Sequence, residues 1–524
     1  MRLDMYWTAL VLLLPTVVFL TGRNLLLRPF HKFTRILRGS GQSEEREEVV
    51  CCNEKDEEAS RFRRIFLQVY LLVMGSEWLQ GPYMYTLLRD EKGLDESTVA
   101  WLYATNYIAA AVSALGVGFL ADRFGRRLAC LGFCIIHSIA CLTVLSSSLP
   151  VIFLGRVLSG VGLTLLWTVF ESWMVTEFNA RGLHASSISL TTMFGIMTTS
   201  NCMCAILGGV LGHCLVLALR SRTNPFVLGI ALEFVAVYLM FRDWNENYGT
   251  RQTTDEEEIS EAPEKSSEGA FGDVRVWMLS FITCFFEGAN FLILYFWPGM
   301  LQDAHRRALL EAGDEDAANA SEVPYGVVFA SFMATMILGA LTFGVIAQQA
   351  GSGGGAPASL VNRVRRAVAP YQLFAAAIAL ASASLFLLGT VRSELGIFLS
   401  FHLYELCNGV YVPSIAYQRG IIVDESRRTG LYGLMKIPLF VFVILSLNLS
   451  AADDRKRRIA LLVAGGTLLL ASICAAMLKT KPQTDEKIAD GVEFVQIGFD
   501  EKLDDASDDE SVDDDSFDDD KRDV

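Results

Sequence analysis

The sequence predicts an all-α membrane protein, two six-helix bundles preceded by one extra N-terminal helix, and three observations predict it. Of 524 residues, 52% are hydrophobic, and the mean hydropathy is +0.36. A soluble domain has no core large enough to take in so much apolar surface. The apolar residues fall into thirteen runs, most of them near the length of about 20 residues that a helix needs to span a bilayer. One long polar segment, 243–274, divides the last twelve runs six and six. The formal charge of −15 does not oppose this reading. Residues Asp485 to Val524 hold 18 Asp and Glu against 4 Lys and Arg, so almost all of the net charge belongs to one tail and the rest of the chain is nearly neutral. A soluble enzyme, a nucleic-acid-binding protein and a wholly disordered chain are thereby excluded.

The elements follow in chain order. The run 6–27 has only Arg2 before it and Arg23, Asn24 and Arg28 after it, with no small-residue cleavage site. That is the reverse of a signal peptide, so residues 1–28 are expected to stay as a helix with its N-terminus outside. Residues 29–64 are charged and read as a cytoplasmic linker; Cys51 and Cys52 within it are open to reversible palmitoylation. The first bundle, 65–242, holds the runs 66–88, 98–120, 128–147, 150–176, 187–217 and 225–241. The run 187–217 is long for one span, and its Gly208, Gly209 and Gly212 allow either a bend or close packing. After the central loop 243–274 the second bundle, 275–480, holds 276–298, 325–348, 370–390, 394–416, 430–449 and 458–478. The loop 299–323 carries the glycosylation sequon Asn319-Ala320-Ser321. The tail, 481–524, reads as disordered, and Ser507, Ser511 and Ser516 each have an acidic residue three positions on, a pattern for phosphorylation.

The loops give the orientation. If 29–64 is cytoplasmic, that side carries 26 Lys and Arg against 12 on the other, which puts the tail in the cytoplasm. The basic cluster Arg455 to Arg458 falls on the wrong side and has no account in the sequence. The remaining cysteines lie mostly in apolar runs and match no zinc or disulfide spacing. With no nucleophile–base arrangement, phosphate loop or metal set, no enzyme activity, cofactor or metal site is expected.

The loop Gly118-Phe119-Leu120-Ala121-Asp122-Arg123-Phe124-Gly125-Arg126-Arg127 resembles the loop signature of the major facilitator superfamily, and Gly155-Arg156-Val157-Leu158-Ser159-Gly160-Val161-Gly162 resembles its fourth-helix pattern. Within that superfamily, Glu77 to Tyr83, Phe170 to Trp173, Asn245 to Tyr248, Phe286-Glu287, Pro324 to Gly339 and Glu405 to Gly409 resemble the molybdate-anion transporter family. The resemblance spans all twelve core helices. It departs at the acidic tail, the Gly-rich loop 351–355 and the loop 299–323. It implies the major facilitator fold, with two six-helix bundles related by a pseudo-two-fold axis, and uptake of the molybdate oxyanion across the plasma membrane by alternating access.

An ionisable residue inside the bilayer is a functional candidate by default. Here they are Glu77, Arg156, Glu171, Glu233, Glu287, Glu405 and Lys436. The resemblance implies that core helices 1, 4, 7 and 10, which carry Glu77, Glu171, Glu287 and Glu405, line the central cavity. Asn106, Asn290 and Asn408 join Arg156 and Lys436 as substrate-binding or coupling candidates, while Glu233 on helix 6 reads as structural. Arg156 suits a dianion, because guanidinium binds oxyanions in bidentate fashion and keeps its charge. Lys436 is expected to meet Glu171 across the cleft as an inner gate. Four acids around an anion path call for protons to neutralise them, hence proton-coupled symport. In the signature loop, Asp122 is expected to contact a helix end, with Gly125 at the turn, while Arg123, Arg126 and Arg127 pair with acids at the cytoplasmic surface, Glu177 among them. The lipid bilayer and a monomeric state complete the expectation. The rivals are another anion, such as sulfate or an organic acid, and a facilitator-like receptor or scaffold that signals through its tail.

Overall fold

The computed structural model describes residues 3–26, 44–183, 190–248, 274–347, 370–422, 438–447 and 453–478, and in these it is helical with short connections. Lys436, Ser507, Ser511 and Ser516 lie outside the described residues, as do the side chains of Cys51 and Cys52. The extra helix is α1, Leu3–Leu26. The first bundle opens with α2, Glu44–Gln80, so the helix begins well inside the expected linker. It breaks at Gly81-Pro82, where proline disfavours helix in the residue before it. The chain resumes as α3, Met84–Thr86, and a π-helical turn, Leu87–Glu91. There follow α4, Glu96–Ala114, and α5, Val117–Phe124, one span bent by 51°. The Asp95 carboxylate caps α4 by accepting from the Thr98 backbone N–H at 3.1 Å. Then come α6, Arg126–Thr143, α7, Leu149–Ala180, α8, Leu190–Leu219, and α9, Asn224–Asp243.

The second bundle comprises α10, Val274–Glu311, the short α11, Glu315–Ala320, α12, Tyr325–Ala347, α13, Pro370–Thr390, α14, Glu394–Ile422, α15, Pro438–Leu447, and α16, Asp454–Met477. Every apolar run is thus met by helix. Among the described residues 9 helices are long and apolar enough to span a membrane, or 10 with the bent pair counted as one. Large apolar side chains such as Val112, Leu115, Phe119, Leu154, Phe234 and Val463 stay exposed, as a chain dissolved in lipid requires.

Within the first bundle α2 packs on α8 and α9, and α7 on α4 and α6; within the second, α13 packs on α14 and α16, and α12 on α14. The bundles meet where α8 crosses α12. The glycines of α8 serve close packing, and no bend interrupts the helix. A methyl added at Gly208 would meet the Trp78 Cβ at 3.2 Å, and one at Gly209 the Gly326 carbonyl oxygen of α12 at 2.7 Å. Helix α1 lies on α12. Its Tyr6 hydroxyl donates to Glu394 Oε1 of α14 at 2.7 Å, the oxygen that also takes His305 Nδ1 at 2.7 Å, while its Trp7 ring lies 5.9 Å from the His213 ring of α8. The extra helix therefore touches both bundles.

The basic cluster also finds its reason. Arg457 and Arg458 are both buried; Arg457 pairs with Asp303 at 3.4 Å, and Arg458 pairs with Asp454 at 3.0 Å and donates to the Val391 carbonyl at 2.9 Å. They fasten the start of α16 to α10 and to the loop after α13, which is why a count of loop charges misreads them.

Candidate substrate and coupling site

Helix α7 places the cation. Arg156 stands seven residues after its first residue, Leu149, so about 10 Å along the axis. Gly160, one turn on, lets α7 approach α4: a methyl there would meet the Ala109 Cβ at 2.7 Å and the Ala110 N at 2.9 Å. This close crossing sets Arg156 against α4, and the groups that act on its charge are Tyr103, Glu77, Cys141 and Tyr107. Arg156 is 8% exposed, and among the described residues it makes no hydrogen bond or ion pair within bonding distance. Asn106, three residues after Tyr103 and so on the same helix face, has its Oδ1 buried without a partner. An unpaired buried guanidinium costs several kcal/mol of desolvation, and its donors are free for a ligand.

Glu77 of α2 is partly exposed, its side chain at 33%, and lies 3.0 Å from His137 Nε2 of α6. His137 Nδ1 contacts Glu233 Oε1 of α9, a carboxyl that also accepts from Ser76 at 2.9 Å and from Ser138. Glu233 of α9 is thus held by side chains of α2 and α6 and is linked through His137 to Glu77. In the second bundle Glu287 pairs with Arg419 at 3.0 Å, and Arg419 donates to Thr283 at 3.1 Å. Glu405 is only 3% exposed; Asn408 donates to it at 3.2 Å and approaches Asn290 Oδ1 at 3.4 Å. No cation pairs with Glu405 among the described residues. Glu171 is exposed, also without an ion pair among them.

The two bundles close over this site at the Glu96 end. The Tyr295 hydroxyl donates to the Glu96 carbonyl at 3.2 Å, Tyr295 packs edge-on to Tyr85 and Tyr103, and the Tyr107 ring lies tilted against Phe291 at 4.6 Å. Further out, Arg222 of the first bundle pairs with Glu322 of the second at 2.7 Å. Among the described residues, the signature loop at the opposite end bonds to its own bundle and to the start of the central loop. Arg126 pairs with Asp122 at 2.7 Å and bonds Ser172 and Thr176. The Arg127 and Leu128 backbone N–H groups donate to Glu246 at 2.8 and 3.1 Å. Gly125 has φ +117°, and Glu246 fills the space where its Cβ would stand. The expected partner Glu177 is held by Arg181 at 2.7 Å instead, an i,i+4 pair on one helix, and Arg123 rests over the Phe124 ring.

Each bundle thus holds a cluster of partly or fully buried ionisable side chains among apolar helices. The chain belongs to the major facilitator superfamily: residues 46–356 match the family model described as twelve-span sugar transporters. It is a multi-pass membrane transporter and not an enzyme. Among characterised relatives it is similar to the molybdate-anion transporter of Takifugu rubripes, 27% identical over 74% of this chain and 79% of that one. It is equally similar to that of Xenopus laevis, 27% identical over 82% of this chain and 88% of that one. Its fold is similar to the crystal structure of the nucleoside transporter NupG, with a TM-score of 0.55 and 14% identity over 80% of this chain and 100% of that one. An auto-inhibited POT family peptide transporter matches with a TM-score of 0.51 and 13% identity over 81% and 98%.

Of the candidates, the structure gathers Arg156, Glu77 and Asn106 in one half and Glu287, Asn290, Glu405 and Asn408 in the other. Sequence reasoning missed His137, Gln80, Tyr103, Tyr107 and Arg419. His137 had a signal, a basic ring inside the apolar run 128–147. Arg419 did not, since the run 394–416 stops short of it and only the longer α14 brings it into the helix.

Proposed function

We propose that this protein takes up molybdate across the plasma membrane as a monomer, by alternating access, with protons as the coupling ion. The observation that carries the reading is Arg156, a buried guanidinium without a protein partner among the described residues, which is what a tetrahedral oxyanion binds best. Two relatives named molybdate-anion transporter support the choice of oxyanion. A neutral solute such as a sugar would leave the Arg156 charge unmatched. The balance of basic residues supports an outside N-terminus, with the Glu96 end facing out and the Gly125 end facing the cytoplasm. Asn319, exposed on α11, then lies on the outer face as a glycosylation site. Anion and proton enter when the Tyr85–Tyr103–Tyr295 closure parts, the anion seats on Arg156, and both leave toward the Gly125 end. Glu405, buried without a cation, is costly to ionise and carries a proton through the cycle.

The test is uptake of labelled molybdate into deficient cells expressing the protein, with tungstate and sulfate as competitors. Uptake should rise at acidic external pH, collapse with a protonophore and compete with tungstate. Stronger competition by sulfate reassigns the anion. No uptake by correctly localised protein overturns the reading in favour of a receptor.

A further inference from the structure

We propose that His137 is the proton relay of the first bundle, passing a proton between Glu77 in the cavity and Glu233 behind it, and that Arg156 couples this relay to the bound anion. The inference rests on the proton-coupled reading above. Its basis is the way the ring is held. His137 is 3% exposed, so water cannot supply its partners. Nδ1 is engaged by Glu233, which Ser76 and Ser138 fix in place. Nε2 has two partners of opposite kind: Glu77 Oε2, an acceptor, at 3.0 Å, and the Gln80 amide nitrogen, a donor, at 2.7 Å. A protonated Nε2 donates to Glu77, and an unprotonated one accepts from Gln80. When Nε2 is protonated the Gln80 amide turns to its other acceptors, the Ser76 carbonyl at 3.4 Å and Glu77 Oε2 at 3.5 Å, so Nε2 keeps a partner in either state and Gln80 gives up only its shortest bond.

The polar groups around the ring among the described residues are few. From α2 the ring meets Glu77 and Gln80, from α9 Glu233, and from its own helix Cys141, whose Sγ lies 4.0 Å from Nδ1 and also donates to Gln80 Oε1 at 3.6 Å. Cys134 of α6 also feels its charge, and from α7 Arg156 acts on Glu77 and Cys141. Arg156 is thus shared. Without an anion its charge favours the Glu77 carboxylate. A dianion on Arg156 cancels that influence and repels the carboxylate, so anion binding draws a proton onto Glu77 and His137. By linkage a proton there tightens the anion to the same degree. Glu233, a helix away from the cavity, is the far terminus that keeps the ring oriented and shares its proton.

The test uses the full-length protein in proteoliposomes with two assays. Uphill molybdate accumulation driven by an imposed pH gradient needs the relay, whereas exchange of internal for external molybdate at equal pH needs no net proton movement. For His137→Gln, gradient-driven accumulation should fall to the passive level, a loss of about tenfold or more, while exchange falls less than about threefold. A packing role would lower both together. If His137→Gln does not reach the membrane, Glu233→Gln, which keeps the side-chain shape, goes through the same two assays with the same expected split. Gradient-driven accumulation that survives in the variant overturns the relay. A wild-type protein that exchanges molybdate but ignores the pH gradient overturns the proton-coupled reading beneath it, a different and separable result.

Discussion

Replacement of Arg156 separates a binding role from a structural one. The guanidinium is 8% exposed and lacks a bonded partner among the described residues, so the folded protein carries its desolvation cost without compensation until an anion arrives. Arg156→Gln removes that cost. The unliganded variant should be as stable as the wild type or up to about 2 kcal/mol more stable, since a buried ion without a partner costs several kcal/mol and the new amide keeps part of the burden. Affinity should move the other way. A charge-assisted hydrogen bond is worth about 1.5–3 kcal/mol, so losing two of them to an oxyanion gives about 3–6 kcal/mol, or a loss of roughly 10²–10⁴-fold in molybdate affinity. Arg156→Lys keeps the charge but not the fork and should lose about tenfold. The assays are thermal unfolding of purified protein in detergent, with and without molybdate, and the concentration dependence of uptake. Wild type should gain stability from molybdate and Arg156→Gln should not. A variant that unfolds earlier than the wild type yet keeps its uptake KM would refute the reasoning, because Arg156 would then be structural and the anion would bind elsewhere.

Other outcomes follow from the same geometry. Glu405→Gln should leave molybdate exchange within about threefold of wild type but flatten the rise of uptake on external acidification, because the proton it carries can no longer come and go; an unchanged pH profile removes Glu405 from the coupling path. Gly125→Ala should destabilise the protein by about 1–3 kcal/mol, since φ is +117° and Glu246 occupies the Cβ position, whereas Gly118→Ala, where an added methyl meets nothing within 4 Å, should be near neutral in the same unfolding assay. Tyr6→Phe removes the hydrogen bond to Glu394 at 2.7 Å and should cost about 1–2 kcal/mol, read as a lower unfolding temperature with uptake KM unchanged.

The architecture was legible because hydrophobic length is a property of the chain itself, and the bilayer reads it. The thirteen runs and the six-and-six division appear as helices for that reason. Boundaries were less legible where a local break or a long extension intervenes: Gly81-Pro82 ends α2 before the run ends, while α10 runs on to Glu311 into what reads as loop. At the site, Arg156, Glu77 and Glu405 stood out as charges among apolar neighbours. Their partnerships did not, because these are set by helix crossings between residues far apart in sequence: Glu287 and Arg419 are 132 positions apart, His137 and Glu233 are 96. Histidine is neutral in a count of Lys, Arg, Asp and Glu, so His137 escaped a search framed by formal charge. Arg457 and Arg458 show the opposite error, two charges counted as anchors that are in fact buried and bonded.

The crossing of α8 and α12 has a mechanical consequence. Helices normally interlock by side-chain ridges, and to turn one against another those ridges must climb out of their grooves. Gly209 and Gly326 carry no ridge, and their backbones face one another directly. At that point the two halves resemble a plain bearing more than a pair of gears. Under the alternating-access reading proposed above, rotation about it moves few side chains, Tyr83, His213 and Phe329 being those set against the two glycines, so the resistance to switching would be concentrated at the rim, where Tyr85, Tyr103 and Tyr295 would part, and in α1, which is fastened to both halves. A bulky residue at either glycine would push the axle itself off centre, slowing every solute the carrier handles by the same factor.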